Sequence, residues 1–198
     1  MSMSSASVVS LIGMPGVGKT SVGRRLSRLI GMSFIDSDHE IERRLGVSIP
    51  GYFREHGEVA FRDIEEQVIG EFASLTGHVL ATGGGTVLRA PNREVLQGMG
   101  AVIYLRSSAH RLAMRMRGST RPLMAGHDPM ARIAQLLRER SHLYEQTARL
   151  IVDVDGQSVQ SVAERIADAI HDSAFDARSS RVEGDATMHA DPRQPLPQ

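Results

Sequence analysis

The loop of residues 13–20, with the sequence Gly-Met-Pro-Gly-Val-Gly-Lys-Thr, restricts the fold of this chain more than any other stretch. It follows the apolar run at residues 8–12, which predicts a buried strand, and it precedes residues that predict the start of a helix. Glycines at this spacing let the backbone wrap around a phosphate chain, with successive N–H groups directed inward at the helix N-terminus. The motif therefore predicts nucleotide binding rather than a glycine-rich turn that contains a lysine by chance.

The residues of this loop and of the first helical turn are expected to bind the phosphates of a nucleotide. They are Gly13, Gly16, Val17, Gly18, Lys19, Thr20 and Ser21. The Lys19 ammonium would reach the β- and γ-phosphates. The Thr20 hydroxyl would ligate a magnesium ion, because this hard cation prefers oxygen ligands.

The composition of the 198 residues limits the classes of function. Lys plus Arg is 23 and Asp plus Glu is 23, so the formal net charge is zero and gives no reason to expect a nucleic-acid partner. The absence of cysteine excludes disulfides, thiolate catalysis and zinc–cysteine sites. The polar stretch before residue 8 lacks a basic region, and the apolar run after it is too short to span a membrane. We therefore expect a soluble cytoplasmic enzyme with no targeting segment and no membrane partner.

The pattern of the chain predicts one domain over residues 1–172. Short apolar runs alternate with amphipathic segments, which predicts an α/β fold of three layers with a doubly wound parallel sheet in the middle. The stretch between Pro91 and Gly100 is expected to be irregular. In residues 173–198 the periodicity stops, and this tail is expected to be disordered or loosely attached.

Two carboxylates follow the second predicted strand, at Phe34 and Ile35. Ligands bind at the carboxyl ends of the strands in an open parallel sheet, so Asp36 and Asp38 are expected to face the phosphate site. As residues i and i+2 of an extended tip, they would point to the same side. Asp36 would hold magnesium directly or through water, and Asp38 would orient or deprotonate an acceptor hydroxyl. The alternative is that Asp38 or Ser37 only caps the next helix.

Arg62 lies beside the apolar stripe of a helix predicted over most of residues 49–75. Glu65 and Glu66 follow it by three and four residues, so a carboxylate could fix the guanidinium in one pose. A fixed guanidinium suits bidentate binding of a substrate carboxylate or phosphate. The alternative is an ordinary ion pair on the helix surface.

Gly83, Gly84 and Gly85 follow the next buried strand. Three glycines at a strand end have a high entropic cost, which indicates that a ligand approaches the backbone there. A plain flexible turn is the alternative.

The stretch at residues 117–129 is long and rich in helix breakers, and it predicts a mobile lid over the phosphate site. Arg121 within it could stabilise charge on a transferring phosphoryl group, and Arg115 just before it could stack on an adenine ring. The alternative is a solvated loop whose arginines are incidental.

In combination, these motifs resemble those of the shikimate kinases over about residues 8–170. The segments that carry the resemblance, in order, are 13–20, 36–38, 57–65, 82–85, 121–123 and 140–144. The resemblance implies transfer of the γ-phosphoryl group of ATP to the 3-hydroxyl of shikimate, with ATP and shikimate as small-molecule partners of a monomer. It also implies a five-stranded parallel sheet of order 2-3-1-4-5 with a mobile lid.

The resemblance also implies roles for individual residues. Lys19, Asp38 and Arg121 would be catalytic, Thr20 and Asp36 would hold Mg²⁺, and Arg115 and Arg121 would join the loop in binding ATP. The residues implied to bind shikimate are Asp38, Phe53, Phe61, Arg62, Gly83, Gly84, Gly85 and Arg140. Arg62 and Arg140 would bind its carboxylate, with Glu65 steadying Arg62. His142 stands where the family usually has proline, and this departure is expected to alter the turn near Arg140 without removing the guanidinium.

Three other readings stay open at this point. A kinase of another polyol acid, such as gluconate, would share the phosphate loop, but it is not expected to combine the Phe-Arg-x-x-Glu pattern with three glycines. A GTPase switch would carry an Asn-Lys-x-Asp motif, which the sequence lacks. A protein that kept the fold without activity would not be expected to retain every polar site residue.

Overall fold

The structure, a computed structural model, describes residues 8–116 and 128–172. Five strands form one parallel sheet in the order β2-β3-β1-β4-β5. They are β1 Val8–Ile12, β2 Ser33–Asp36, β3 His78–Ala81, β4 Gly100–Arg106 and β5 Leu150–Asp153. The predicted fold class and the strand order implied by the resemblance are confirmed. Arg121 and the rest of the predicted lid up to residue 127, like the tail from residue 173, lie outside the described residues.

Strand β1 lies at the centre of the sheet, with β3 on one side and β4 on the other. Ser10 is opposite both Leu80 and Val102. All five residues of β1 are buried, as expected for a parallel strand that has helices on both faces. After β1 the chain builds β2 and β3 on one side and then crosses to β4 on the other. The loop that follows β1 therefore starts at the point where strand order reverses, which is where such sheets bind ligands.

Helices cover the sheet, and α1 packs against α7 while α4 packs against α6. Their bounds are α1 Lys19–Ile30, α2 Ser37–Leu45, α3 Ile49–Glu71, α4 Ala90–Met99, α5 Ala109–Met116, α6 Pro129–Thr147 and α7 Val159–His171. Two short 3-10 turns lie at Phe72–Ser74 and Thr86–Leu88. Within the described residues, no helix is long and apolar enough to cross a membrane.

Helix α3 consists of two helical segments that meet at Gly57. The backbone there has φ 80° and ψ 179°, outside the helical region and accessible in practice only to glycine. Upstream, the Ser48 hydroxyl caps the helix by accepting from the Gly51 N–H at 3.2 Å. The kink gives α3 two directions, so residues before and after Gly57 can line one cavity.

The prediction of an irregular stretch between Pro91 and Gly100 is wrong, because these residues form helix α4. Pro91 lies in the first turn, where the absent N–H would have no partner in the helix in any case. Leu96 is fully buried against the core. Packing of this apolar face outweighs the low helix propensity of Gly98.

Candidate active site

The loop between β1 and α1 has the conformation that its glycines predict. Gly13, Gly16 and Gly18 have φ angles of 139°, 78° and 108°, which L side chains rarely adopt. At Gly13 space is also limiting, since a Cβ atom would lie 2.6 Å from the carbonyl oxygen of Leu105. Gly18 directly precedes the first residue of α1. The loop therefore leads into a helix N-terminus, where backbone N–H groups favour an anion.

Two cationic side chains are held by carbonyl groups of this loop. Lys19 is mostly buried, and its Nζ donates to the oxygens of Gly13 at 2.8 Å and Met14 at 3.0 Å. Arg115, in the last turn of α5, donates from Nη1 to the oxygen of Val17 at 3.0 Å. The structure therefore gathers positive charge around the loop from two separate helices.

Thr20 and Asp36 lie together at the mouth of this loop. The Thr20 hydroxyl donates to Asp36 Oδ2 at 2.7 Å, which joins the start of α1 to the end of β2. Within the described residues no group of three or more His, Asp or Glu side chains could hold a metal. The pair thus offers two oxygen ligands, a donor set that suits Mg²⁺ because this ion keeps several waters and binds substrate phosphates.

Asp36 and Asp38 both face the site, but the expected geometry was wrong. Helix α2 begins at Ser37, so Asp38 is already helical and the two residues do not alternate along an extended tip. Asp36, rather than Asp38 or Ser37, caps this helix. Its Oδ1 accepts from the N–H groups of Asp38 at 3.1 Å and His39 at 3.5 Å. Capping and contact with Thr20 use different oxygens of one carboxylate, so Asp36 serves both.

A cavity of about 320 Å³ adjoins the phosphate loop. Its wall combines the loop, the three glycines, α2, both segments of α3, the last residue of α5 and the first half of α6. The lining residues are Met14, Pro15, Asp38, Glu42, Ile49, Pro50, Phe53, Phe61, Arg62, Glu65, Gly83, Gly84, Gly85, Met116, Ile133 and Leu136. The cavity is therefore mostly apolar with a few polar groups, as small-molecule sites are.

Arg62 is buried in the wall of this cavity, so the surface ion pair considered as an alternative is wrong. Its Nη1 donates to Glu65 Oε2 at 2.7 Å, and the two side chains are 8% and 0% exposed. Glu58 Oε1 accepts from Arg62 Nε at 3.3 Å and Nη2 at 3.0 Å. Glu66 does not contribute; it pairs with Arg89 at 2.8 Å. Two carboxylates therefore fix the guanidinium, and two of its five N–H groups are left for a ligand.

Aromatic rings frame the same guanidinium. The ring centroids of Phe53 and Phe61 lie 4.6 Å apart, one from each segment of α3. The central carbon of the Arg62 guanidinium lies 5.2 Å from the Phe61 centroid and 6.0 Å from that of Phe53. These contacts hold the arginine in a weakly polar wall, where its charge is less screened than in water.

Side chains pack against Gly83, Gly84 and Gly85 so closely that none of the three has room for a Cβ atom. At Gly83 it would lie 2.6 Å from Glu65 Oε1 and 2.7 Å from Asp38 Oδ1, at Gly84 2.5 Å from Pro15, and at Gly85 it would overlap the Arg62 guanidinium. The plain flexible turn is therefore not what the structure contains. The glycines allow the site residues and the phosphate loop to meet.

Arg140 reaches this glycine segment from α6. Its Nη1 donates to the oxygen of Gly84 at 3.2 Å. The side chain is almost fully buried, and its Nε has no hydrogen-bond partner in the described part of the chain. A buried, unpaired guanidinium N–H is unfavourable. It is a donor that a bound anion could satisfy.

Sequence reasoning missed several residues that take part in this arrangement. Glu58 stands four residues before Arg62, a helical spacing that a search in both directions would have detected. Thr86 donates to Glu65 at 2.7 Å, and Tyr144 donates to Gly84 at 2.5 Å. Both bonds join distant segments, and no local pattern in the sequence signals them.

Comparison with known proteins gives relatives over most of the chain. A family model described as shikimate kinase matches residues 15–171. A shikimate kinase of Paracidovorax citrulli is 45% identical over 163 residues, which cover 80% of this chain and 89% of the relative. The solved shikimate kinase from Acinetobacter baumannii in complex with shikimate has a TM-score of 0.80 and 40% identity, covering 83% of this chain and 92% of that one.

A gluconokinase from Sinorhizobium meliloti has a TM-score of 0.55 but only 21% identity, covering 92% of this chain and 99% of that one. This second likeness concerns the fold alone. The family-model match over residues 15–171 and the 45% identity to a curated shikimate kinase indicate the family far more strongly than the 21% identity to this gluconokinase does. This chain belongs to the shikimate kinase family.

Proposed function

We propose that this protein transfers the γ-phosphoryl group of ATP to the 3-hydroxyl of shikimate, giving shikimate 3-phosphate and ADP. One observation carries the proposal: Met14 and Pro15 of the phosphate loop also form part of the wall of the cavity that contains Asp38 and Arg62. Donor and acceptor bound on the two sides of that wall would be neighbours, as phosphoryl transfer requires.

The acceptor is proposed to bind through its carboxylate and its ring. Arg62 and Arg140 would bind the carboxylate, since both guanidiniums are buried beside the glycine segment and retain unused N–H donors. Phe53 and Phe61 would contact the ring, and the backbone of Gly83, Gly84 and Gly85 would contact the hydroxyls. Together these residues would bind an anionic, hydroxylated ring.

The reaction itself would rest on positioning and on charge. Asp38 lines the cavity and would accept a hydrogen bond from the 3-hydroxyl, orienting it and assisting its deprotonation. Lys19 would exchange its loop carbonyls for the β- and γ-phosphates. Arg121, which lies outside the described residues, is proposed to stabilise the transferring group. Arg115, held against the phosphate loop, is proposed to bind the adenine.

Thr20 and Asp36 are proposed to hold Mg²⁺, directly or through water. The ion would neutralise charge on the β- and γ-phosphate oxygens. The other residues from Gly13 to Ser21 would bind the phosphates through their backbone N–H groups.

The enzyme is proposed to act as a cytoplasmic monomer with residues 1–172 as its one domain. The lack of cysteine fits a reducing compartment. The exposed large apolar side chains of the described residues lie singly on different elements, which is compatible with a monomer. Size-exclusion chromatography with light scattering tests the monomer, with a dimer mass as the contradicting result.

Release of ADP from MgATP by the purified protein tests the reaction. We expect release that requires shikimate and is near background with gluconate or with no acceptor. Asp38→Asn should lower this release by at least tenfold while ATP still binds, because it weakens orientation and deprotonation of the acceptor. Equal turnover of gluconate, or no turnover with shikimate, would overturn the proposed acceptor.

A further inference from the structure

Tyr144 is a fully buried tyrosine whose hydroxyl is directed at the glycine segment. It lies in α6, and its ring stacks on Tyr104 of β4 with centroids 4.9 Å apart and planes inclined by 22°. The hydroxyl donates to the carbonyl oxygen of Gly84 at 2.5 Å and lies 3.8 Å from Met14 Sδ. Nothing in the proposed reaction makes use of this residue.

Gly84 therefore has two donors on one carbonyl, and both come from α6. Arg140 and Tyr144 are four residues apart, so they lie on one face of the helix. Pro15 of the phosphate loop lies so close to Gly84 that a Cβ atom there would be 2.5 Å from its ring. The orientation of this peptide group is thus fixed by α6 and by the loop together.

Fixing the Gly84 carbonyl also fixes the next amide. In a planar trans peptide, the C=O of Gly84 and the N–H of Gly85 point in opposite directions. Since the carbonyl is directed at α6, the Gly85 N–H is directed away from α6. Gly85 lines the cavity beside Arg62. Arg140 and Tyr144 of α6 therefore determine the direction in which the Gly85 N–H points, and so how it can meet a ligand.

The hydroxyl of Tyr144 is suited to remain a donor. Burial raises the pKa of Tyr144 far above its ordinary value, although the nearby Arg140 opposes the shift. It stays protonated throughout the pH range in which enzymes work.

We propose that Tyr144 is a positioning residue for shikimate binding, acting through the Gly84–Gly85 peptide group. This inference rests on the proposed function. The hydrogen bond to the Gly84 carbonyl holds the Gly85 N–H in the orientation in which it meets the ligand. This orientation is kept before and during phosphoryl transfer. Its loss weakens acceptor binding equally in the ground state and in the transition state, so KM changes and kcat does not.

Tyr144→Phe removes only the hydroxyl, and Tyr104→Phe is its matched control. Both residues are buried tyrosines of one stacked pair, and in the described part of the chain only the Tyr144 hydroxyl of the two donates to the glycine segment. We expect Tyr144→Phe to raise the KM for shikimate by about fivefold, the size of one net hydrogen bond. The KM for ATP and kcat should remain near the wild-type values, and Tyr104→Phe should leave all three constants unchanged.

Melting temperatures of both variants separate positioning from general destabilisation. The inference holds if the two variants lose similar stability and only Tyr144→Phe raises the KM for shikimate. It is overturned if both raise this KM alike, or if neither does. Absence of shikimate turnover by the wild-type protein would instead overturn the proposed function, so the two failures are distinct.

Discussion

Glu65 holds Arg62 from a position that solvent does not reach: its Oε2 accepts from Arg62 Nη1 at 2.7 Å, and the carboxylate side chain is 0% exposed. The other oxygen accepts from Thr86 Oγ1, also at 2.7 Å. Rotation of the carboxylate would break one bond or the other. The arginine therefore has a counter-charge that cannot move away from it.

Glu65→Gln removes that counter-charge while keeping the shape of the side chain. We expect the free energy of unfolding to fall by about 3 kcal/mol, because the buried guanidinium loses its buried carboxylate partner and keeps the half-exposed Glu58. We also expect the KM for shikimate to rise. Glu66→Gln is the neighbouring control, since Glu66 pairs with the partly exposed Arg89, and it should cost less than about 1 kcal/mol. Urea denaturation measures both; equal losses would contradict a special role for the buried pair.

Glu58 holds the other side of the same guanidinium, accepting from Nε and Nη2 with one oxygen while 49% exposed. Glu58→Ala should raise the KM for shikimate a few-fold and leave that for ATP unchanged. Glu58→Gln should restore most of the binding, because its amide oxygen can accept from the same two donors. Steady-state kinetics with each substrate varied in turn measures this. If the glutamine variant has a KM for shikimate as high as that of the alanine variant, the negative charge of Glu58 matters for binding, and its ability to accept hydrogen bonds does not.

Gly84→Ala should separate the glycine segment from the phosphate loop. The new Cβ atom would lie 2.5 Å from Pro15, so one of the two segments has to move. Displacement at this junction should lower kcat/KM by roughly a hundredfold. Gly98→Ala is the control: no atom of the described residues lies within 4 Å of its Cβ position in α4, and alanine favours a helix. Kinetics and melting temperature should show Gly98→Ala fully active and at least as stable as wild type.

Asp36→Asn tests the metal site without removing the helix cap, since asparagine caps as well as aspartate does. The loss of a carboxylate beside Thr20 should raise the Mg²⁺ concentration needed for half-maximal activity by about tenfold. Titration of Mg²⁺ at saturating ATP and shikimate measures the shift. Asp63→Asn, which affects an exposed partner of Arg89, should leave the titration unchanged. An identical titration for both variants would exclude Asp36 from metal binding.

The parts of the site that the sequence predicted well are those set by local geometry. The phosphate loop follows from the conformational freedom of Gly13, Gly16 and Gly18 between a strand and a helix. The bond between Arg62 and Glu65 follows from helical spacing, which brings residues i and i+3 together. Whether that pair was buried could not be inferred, because burial depends on what packs over the helix.

The errors and omissions arise from competition between local and tertiary effects. Helix α4 formed because Pro91 fits its first turn and because its apolar face packs on the sheet. The helix that was expected to begin at His39 begins two residues earlier, at Ser37, since Asp36 supplies the cap itself. Tyr144 and Gly84 are 60 residues apart, and only the packing of α6 beside the glycine segment brings them together.

The backbone angles at Gly57 determine which chirality a residue at this kink can have. Among residues 8–116 and 128–172, no atom lies within 4 Å of the position that a Cβ atom would take, so the backbone angles rather than these neighbours exclude other L residues. Those angles are the mirror image of an extended conformation that L residues adopt freely. A D-alanine introduced by chemical synthesis would therefore fit without strain, and it would stabilise the bend by removing the freedom that glycine has in the unfolded chain. The shape of the cavity thus depends on one residue that has no chirality of its own.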